Sequence, residues 1–161
     1  MTDILELIKK GIEFRARENL FVNLMGMKIE DFSEGHAVCS MVIEPKQLNQ
    51  YHNVQGGCLM SLADNTMGTA CCYLNDAVTT LDLQYHFMKP VSLGAKAVCT
   101  ADVLHAGRKV ITVQCRMTVD DQLVGYGTST FYRLGKPLIP EDYDPQTYRK
   151  SLESSEKDQN N

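Results

Sequence analysis

The chain has 161 residues, of which 43% are hydrophobic and 22% charged, and this size and composition suit one globular domain with its own core. It has no apolar run of eighteen residues and no basic-then-apolar leader, so we expect a cytoplasmic protein without a membrane span or secretory signal. The formal net charge of −4 offers no basic excess for nucleic acid, so neither nucleic acid nor membrane is expected as a partner.

The six cysteines are scattered through apolar segments, without a CxxC pair or a histidine at ligand spacing. This pattern is typical of small buried hydrophobic residues rather than of a disulfide framework or a zinc site. We therefore expect neither structural disulfides nor a metal.

The first predicted element is an amphipathic helix over residues 3–19, whose apolar positions recur at helical spacing. We expect it to lie against the outside of the domain, with Gly11 as a weak point. Two strands with alternating apolar positions follow at residues 25–32 and 36–43, joined by a turn at residues 33–35.

The central element is an apolar helix predicted over residues 55–74. It carries one charge, Asp64, and no polar stripe, which is typical of a buried helix. Its many small residues allow a sheet to approach it closely. Four strands follow, joined by short turns, at residues 78–88, 95–104, 110–119 and 123–134.

Because the strands outnumber the helices and are joined mostly by short turns, the pattern predicts an α+β fold, with an antiparallel sheet wrapped around one long central helix. We assign residues 1–140 to this single domain. Residues 141–161 form a polar, acidic tail, and we expect the last eight residues to be disordered.

Short motifs occur in order between residues 49 and 108. They are Asn49, Gly56-Gly57, Asp64, Thr80-Leu81-Asp82, Lys89-Pro90 and the turn His105-Ala106-Gly107-Arg108. Their order and spacing resemble those of the hotdog-fold acyl-CoA thioesterases, specifically the PaaI-like branch, over residues 20–134. This sequence departs from the family at two positions, with Gln55 where the family has His and His52 where it commonly has Gly.

The resemblance implies hydrolysis of an acyl-CoA thioester, aryl or medium-chain, without a cofactor. It also implies a role for each site residue. Asn49 lies at the thioester together with the amide of Gly56, and Asp64 of a partner subunit acts as nucleophile or as general base for water. The hydroxyl of Thr80 orients that water. Each residue type also has a structural explanation, since Asn is common in turns, Thr in strands and Gly where helices pack closely.

Helix geometry adds a condition to this chemistry. Unpaired N–H groups at the start of a helix, here at Gly56 and Gly57, can donate to an oxygen that becomes negative in the transition state. Asp64 is eight residues further on, about 12 Å along the helix axis, whereas reacting groups approach within about 3–3.5 Å. A two-fold homodimer with antiparallel helices would join Asp64 of one protomer to Gly56 of the other. We also expect dimers to pair into a homotetramer.

Coenzyme A carries phosphates, and Lys89, Arg108 and Lys109 are the candidate bases for binding them, although solvated turns also collect such residues. Gln55 can donate a hydrogen bond in place of the family's His. Tyr51, Met60, Met67 and Tyr85 are candidates for the acyl pocket or for the core.

Two other functions stay open. A dehydratase of the same fold would need a catalytic His, and Gln55 disfavours it. A regulator that binds acyl-CoA would need a basic DNA-binding helix, which the evenly mixed charges of the first nineteen residues do not supply.

Overall fold

The computed structural model describes residues 4–144 and 146. Its helices are α1 (Ile4–Glu18), α2 (Leu20–Met25) and α3 (Gly56–Ala70), with short 3-10 helices at Pro45–Gln47 and Cys71–Leu74. Its strands are β1 (Lys28–Ser33), β2 (His36–Val42), β3 (Val78–Phe87), β4 (Lys96–Ala106), β5 (Val110–Val119) and β6 (Gln122–Arg133).

The six strands form one antiparallel sheet in the order β1-β2-β4-β5-β6-β3. The central helix α3 packs against this sheet and contacts every strand. The predicted fold class, an antiparallel sheet around one central helix, is confirmed. β3 is an edge strand, and only one of its sides is paired in the described chain.

Helix α3 is buried along most of its surface, as the absence of a polar stripe predicts. Leu59, Leu62 and Met67 are no more than 2% exposed. One narrow face remains accessible and consists of Gly57, Met60, Ser61 and Asp64, spaced three or four residues apart. We call these four residues the open face of α3.

The N-terminal region differs from its prediction because a second, short helix follows the first. The side-chain oxygen of Asn19 accepts a hydrogen bond from the N–H of Val22 at 3.0 Å and caps a second helix. That helix ends at Met25, because Gly26 adopts a left-handed conformation with φ 70°. The predicted start of β1 at residue 25 is therefore wrong, and the strand begins at Lys28.

Helix α1 lies on the outside, as predicted, but Gly11 is a packing contact rather than a weak point. A methyl group at Gly11 would lie 2.6 Å from Cδ2 of Leu138. Nearby, the rings of Phe14 and Tyr143 meet edge to face with centroids 4.9 Å apart. Contacts with α1 thus extend past the predicted boundary at residue 140, while the predicted disordered end lies outside the described residues.

The cysteines behave as small apolar residues. Five are buried, Cys58 is partly exposed, and all six are free thiols. Burial raises the pKa of Cys71 to about 12. In the described part of the chain, no three His, Cys, Asp or Glu side chains cluster as metal ligands would. None of the helices described here is long and apolar enough to cross a bilayer.

Candidate active site

The structure places the predicted site residues in two groups, one near each end of the open face of α3. Asn49, Gly56 and Lys89 line one cleft at the start of the helix. Asp64 instead contacts Thr80 on β3. Because Gly56 and Asp64 belong to one continuous helix, a single chain holds these two residues about 12 Å apart.

The start of α3 presents two free backbone donors. The side chain of Gln55, the N-cap residue, makes no capping hydrogen bond, and the N–H of Cys58 turns back to the carbonyl of Gln55 at 2.9 Å. No acceptor among the described residues takes the N–H of Gly56 or Gly57. These N–H groups lie at the positive end of the helix dipole, where they can stabilise a developing oxyanion.

The cleft beside Gly56 has a volume of about 410 Å³. Its walls include Val54, Leu59 and Val91, all buried, together with the half-exposed ring of Phe87. A methyl group at Gly56 would lie only 3.0 Å from Cζ of Phe87, so glycine lets this ring lie directly against the helix start. The cleft therefore joins an apolar wall to open backbone donors.

The predicted acyl-pocket residues do not line this cleft. Met67 is fully buried in the core, and Tyr51 is 73% exposed. Tyr85 packs over β6 and touches the ring of Phe87 at a centroid distance of 4.8 Å. Met60 lies on the open face of α3. The apolar wall of this cleft was missed because its residues come from a loop, a helix and the end of a strand that are far apart in sequence.

Asn49 organises the loop in front of the cleft. Its side-chain oxygen accepts hydrogen bonds from the N–H groups of Tyr51 at 2.9 Å and Asn53 at 3.3 Å. With the amide oxygen used in this way, its NH₂ group remains available to donate. In the same loop His52 has a left-handed φ of 61°, a conformation that suits glycine, the residue common at this position in the family that the sequence resembles.

Gln47 holds the start of α3 in place and was not singled out from the sequence. It is 1% exposed, and its side chain donates to the carbonyl of Met25 at 2.9 Å and accepts from the N–H of Glu44 at 2.8 Å. Its own carbonyl accepts the N–H of Gln55 at 2.7 Å. A signal existed in the sequence, since a proline followed two residues later by glutamine is typical of a capped first helical turn.

Asp64 and Thr80 form a pair at the other end of the open face. The hydroxyl of Thr80 donates to Oδ1 of Asp64 at 2.8 Å. Thr80 reaches the helix because it pairs with the buried Phe131 and points to the same side of the sheet. Oδ2 of Asp64 accepts no hydrogen bond from any described residue, and the carboxylate is partly exposed. The free oxygen can accept a proton from water or attack a carbonyl carbon.

The candidate phosphate-binding residues also lie in two separate places, one beside the cleft and one toward the Asp64–Thr80 pair. Nζ of Lys89, beside the cleft, donates to Gln122 at 3.1 Å. Arg108 and Lys109 belong to the turn between β4 and β5, where Nζ of Lys109 donates to the hydroxyl of Tyr132 at 3.3 Å. Tyr132 pairs with Thr79, so this turn lies toward the Asp64–Thr80 end of the sheet and away from the cleft.

The sequence of this chain is similar to those of known thioesterases. Residues 51–126 match the model of the family described as "Thioesterase superfamily". Acyl-coenzyme A thioesterase 13 of Homo sapiens is 24% identical over 135 residues, which cover 81% of this chain and 96% of that protein. Acyl-coenzyme A thioesterase PaaI of Escherichia coli is 32% identical over 85 residues, covering 53% of this chain and 61% of that protein.

Solved structures are similar to this chain in their fold. The structure of the E. coli PaaI protein from the phenylacetic acid degradation operon has a TM-score of 0.80 at 22% identity, over 84% of this chain and 99% of that chain. A Streptococcus mutans protein bound to acetyl CoA has a TM-score of 0.67 at 25% identity, over 69% of this chain and 90% of that chain.

Proposed function

Because residues 51–126 match the thioesterase superfamily model and the fold is similar to that of E. coli PaaI, we propose that this chain hydrolyses an acyl-CoA thioester to a free acid and coenzyme A. One observation carries the proposal. The open face of α3 has two free N–H donors beside an apolar cleft at one end and a carboxylate held by a threonine hydroxyl near the other. The names of the human and E. coli relatives support the same activity, and acetyl CoA in the streptococcal neighbour supports the same ligand class.

We propose that two protomers share each active site. The edge strand β3 has a free side, and it exposes Leu81 at 56% and Phe87 at 52%, which is unusual for apolar residues of a strand. A two-fold axis at this edge pairs β3 with its copy and sets the two α3 helices side by side, antiparallel. Asp64 and Thr80 of one protomer then face Gly56 of the other. The predicted pairing of dimers has a candidate surface on α2, where Leu20, Phe21 and Leu24 are exposed.

The proposed reaction begins with the thioester carbonyl oxygen at the N–H groups of Gly56 and Gly57, next to the NH₂ of Asn49. Asp64 of the partner subunit, held through Oδ1 by Thr80, uses Oδ2 to take a proton from water or to attack the carbonyl carbon directly. Negative charge on the carbonyl oxygen is stabilised by the amide donors. The C–S bond breaks as the carbonyl re-forms. In the general-base route, the proton that Asp64 took from water passes to the coenzyme A sulfur. In the nucleophilic route, the coenzyme A thiolate leaves first, water then hydrolyses the acyl-Asp64 anhydride to the free acid, and the proton from this water passes to the thiolate.

Substrate binding follows from the same assembly. Lys89 of one protomer, and Arg108 and Lys109 of its partner, supply positive charge for the phosphates of coenzyme A. Gln55, exposed at the helix start, can donate its side-chain amide to the thioester region. The apolar cleft of about 410 Å³ suits an acyl group of moderate size, so we propose an aryl or medium-chain acyl group. The chain's own residues supply every group used in this scheme, and we propose that no cofactor is needed.

The six free thiols favour a reducing compartment, and we place the enzyme in the cytoplasm.

A dehydratase of this fold remains an alternative, but of the described residues no histidine lines the cleft.

The test is release of free thiol from a panel of aryl-CoA and acyl-CoA esters, with the Asp64→Asn variant beside the natural protein. Since Asp64 provides the proton acceptor or the nucleophile, we expect the variant to lose about 10²–10⁴-fold in kcat while its far-UV circular dichroism and melting temperature stay close to those of the natural protein. Asp31→Asn is the matched control. It removes a carboxylate on β1, at the opposite edge of the sheet, and should leave the rate unchanged.

A single turnover in H₂¹⁸O with excess enzyme separates the two roles of Asp64. Label in the Asp64 side chain identifies the nucleophilic route, in which water opens the anhydride at the aspartyl carbon, whereas a general base directs all the label into the released acid. An Asp64→Asn variant with natural turnover would contradict the proposed function.

A further inference from the structure

A second cavity lies apart from the cleft, on the other side of α3. It has a volume of about 360 Å³ and is enclosed by α1, α2, the start of β1 and one residue of α3, Asn65. Its walls are aliphatic, formed by Ile12, Val22, Met27 and Ile29. No aromatic ring and no carboxylate is among the described residues that line it.

The polar part of this cavity is cationic. Arg15 lines it and is half-buried, and Lys28 contributes a second positive charge at the rim. Nη2 of Arg15 donates to the side-chain oxygen of Asn65 at 3.0 Å, and Nη1 contacts the sulfur of Cys72 at 3.8 Å. Both partners of the guanidinium are therefore uncharged groups.

Arg15 has no acidic partner among the described residues. Its Nε is buried and finds no acceptor there. Arg133, which is also half-buried, shows the usual arrangement, because its Nε meets Oδ2 of Asp76 at 2.8 Å. A partly desolvated charge without a counter-ion is costly, and an anion beside Arg15 would reduce that cost.

We propose that this cavity binds a straight-chain aliphatic carboxylic acid, with the carboxylate at Arg15 and Lys28 and the hydrocarbon chain along the aliphatic walls. The charge selects an anion, the absence of acidic residues from the lining permits it, and the aliphatic walls suit a hydrocarbon tail. A carboxylic acid is also a product of thioester hydrolysis. The second cavity nevertheless shares no lining residue with the cleft, so acid binding there does not depend on the proposed activity.

Isothermal titration of the full chain with decanoate and with 1-decanol tests this site. The titration is made with saturating S-decyl coenzyme A, a thioether that cannot be hydrolysed and that occupies the cleft. We expect decanoate to bind under these conditions, and 1-decanol, which lacks the charge, to bind at least about tenfold more weakly. Loss of decanoate binding in the presence of the thioether would assign the acid to the cleft and overturn the proposal.

Variants of α1 locate the site. Arg15→Met should weaken decanoate binding by at least about tenfold, and Arg15→Lys should restore part of it, because the charge returns without the guanidinium geometry. Ala16→Phe fills the apolar space, leaves Arg15 in place and should also abolish binding. Arg17→Met is the matched control, since Arg17 packs over Tyr143 and does not line the cavity. Unchanged decanoate affinity in Ala16→Phe or Arg15→Met would overturn the proposal.

Discussion

At the scale of single residues, Tyr85 carries an energetic cost that its neighbours cannot relieve. Its hydroxyl is buried and has no hydrogen-bond partner among the described residues. The ring occupies the space that Gly125 and Gly127 leave open on β6, so the side chain cannot turn toward solvent without losing this packing. Burial raises the pKa of the phenol above its ordinary value, so the group stays neutral and its cost is that of an unpaired hydroxyl.

We predict that Tyr85→Phe stabilises the protein by about 1 kcal/mol, because it removes the unpaired hydroxyl and keeps the ring. The midpoint of urea unfolding measures the change. Tyr126→Phe is the control, since the Tyr126 hydroxyl donates to Gln114 at 3.4 Å, and its removal should be neutral or destabilising. A Tyr85→Phe variant that is less stable than the natural protein would show that the hydroxyl has a partner.

Residue chemistry was predictable from the sequence where one residue stood out against a uniform background. Asp64 is the one charge in an apolar helix, and this contrast is visible in the amino-acid sequence alone. Gln47 did not stand out, because its role depends on hydrogen bonds with Met25 and Gln55. Neither partner is adjacent to it in the sequence, so no local pattern shows these bonds. Likewise, the left-handed φ of His52 follows from the loop that Asn49 closes.

At the scale of elements, the turn between β5 and β6 is formed by residues poorly suited to its conformation. Asp120 and Asp121 have φ angles of 48° and 61°, both left-handed, as a two-residue hairpin of type I′ requires. The sequence predicts the hairpin correctly from its two strands and turn length. The left-handed conformation is nevertheless costly for residues with a Cβ, and two like charges stand side by side.

We predict that combining Asp120→Asn with Asp121→Gly stabilises the protein by about 1 kcal/mol, because Asn-Gly is the preferred pair for this turn. Chemical denaturation measures the gain, and thioester hydrolysis should not change. Asp121→Ala distinguishes the effect of removing the charge from the effect of relieving the backbone conformation. It removes the same carboxylate but keeps a Cβ at positive φ, so it should not reproduce the stabilisation.

Most strands and the central helix were predictable because their burial pattern is regular, and the observed ends of β2 to β6 lie within two residues of the predicted ones. Helix α2 was not, because its six residues are too few to show a helical period. Its two ends are defined by the capping bond from Val22 to Asn19 and by the left-handed Gly26.

At the scale of the whole molecule, the proposed chemistry depends on assembly rather than on the fold of one chain. Asp64, midway along α3, is joined to Thr80 within a protomer, and the free amide donors lie at the start of the same helix. The sequence predicted this separation by arithmetic alone, because a helix fixes the distance between two of its residues. The Asp64–Thr80 hydrogen bond shows that one chain supplies both of these residues to the same site, which residue spacing could not predict.

Complementation between inactive variants tests the shared site. Gly56→Pro removes one amide donor with little backbone disturbance, since proline is favoured at the first helical position and Gln55 already has the extended ψ of 129° that a following proline requires. The Cβ of this proline would contact the tip of the Phe87 ring, a side chain able to shift. Gly56→Pro and Asp64→Asn homodimers should each have little activity.

Mixing equal amounts of these two variants, followed by subunit exchange, should restore about one quarter of the natural rate, because half of the dimers are mixed and each mixed dimer has one intact site. Mixing Asp64→Asn with Thr80→Val is the control. The hydrogen bond puts Asp64 and Thr80 on the same chain at each site, so every site in that mixed dimer keeps one defect and no activity returns. Restoration in the control, or none in the first mixture, would contradict a site shared in this way.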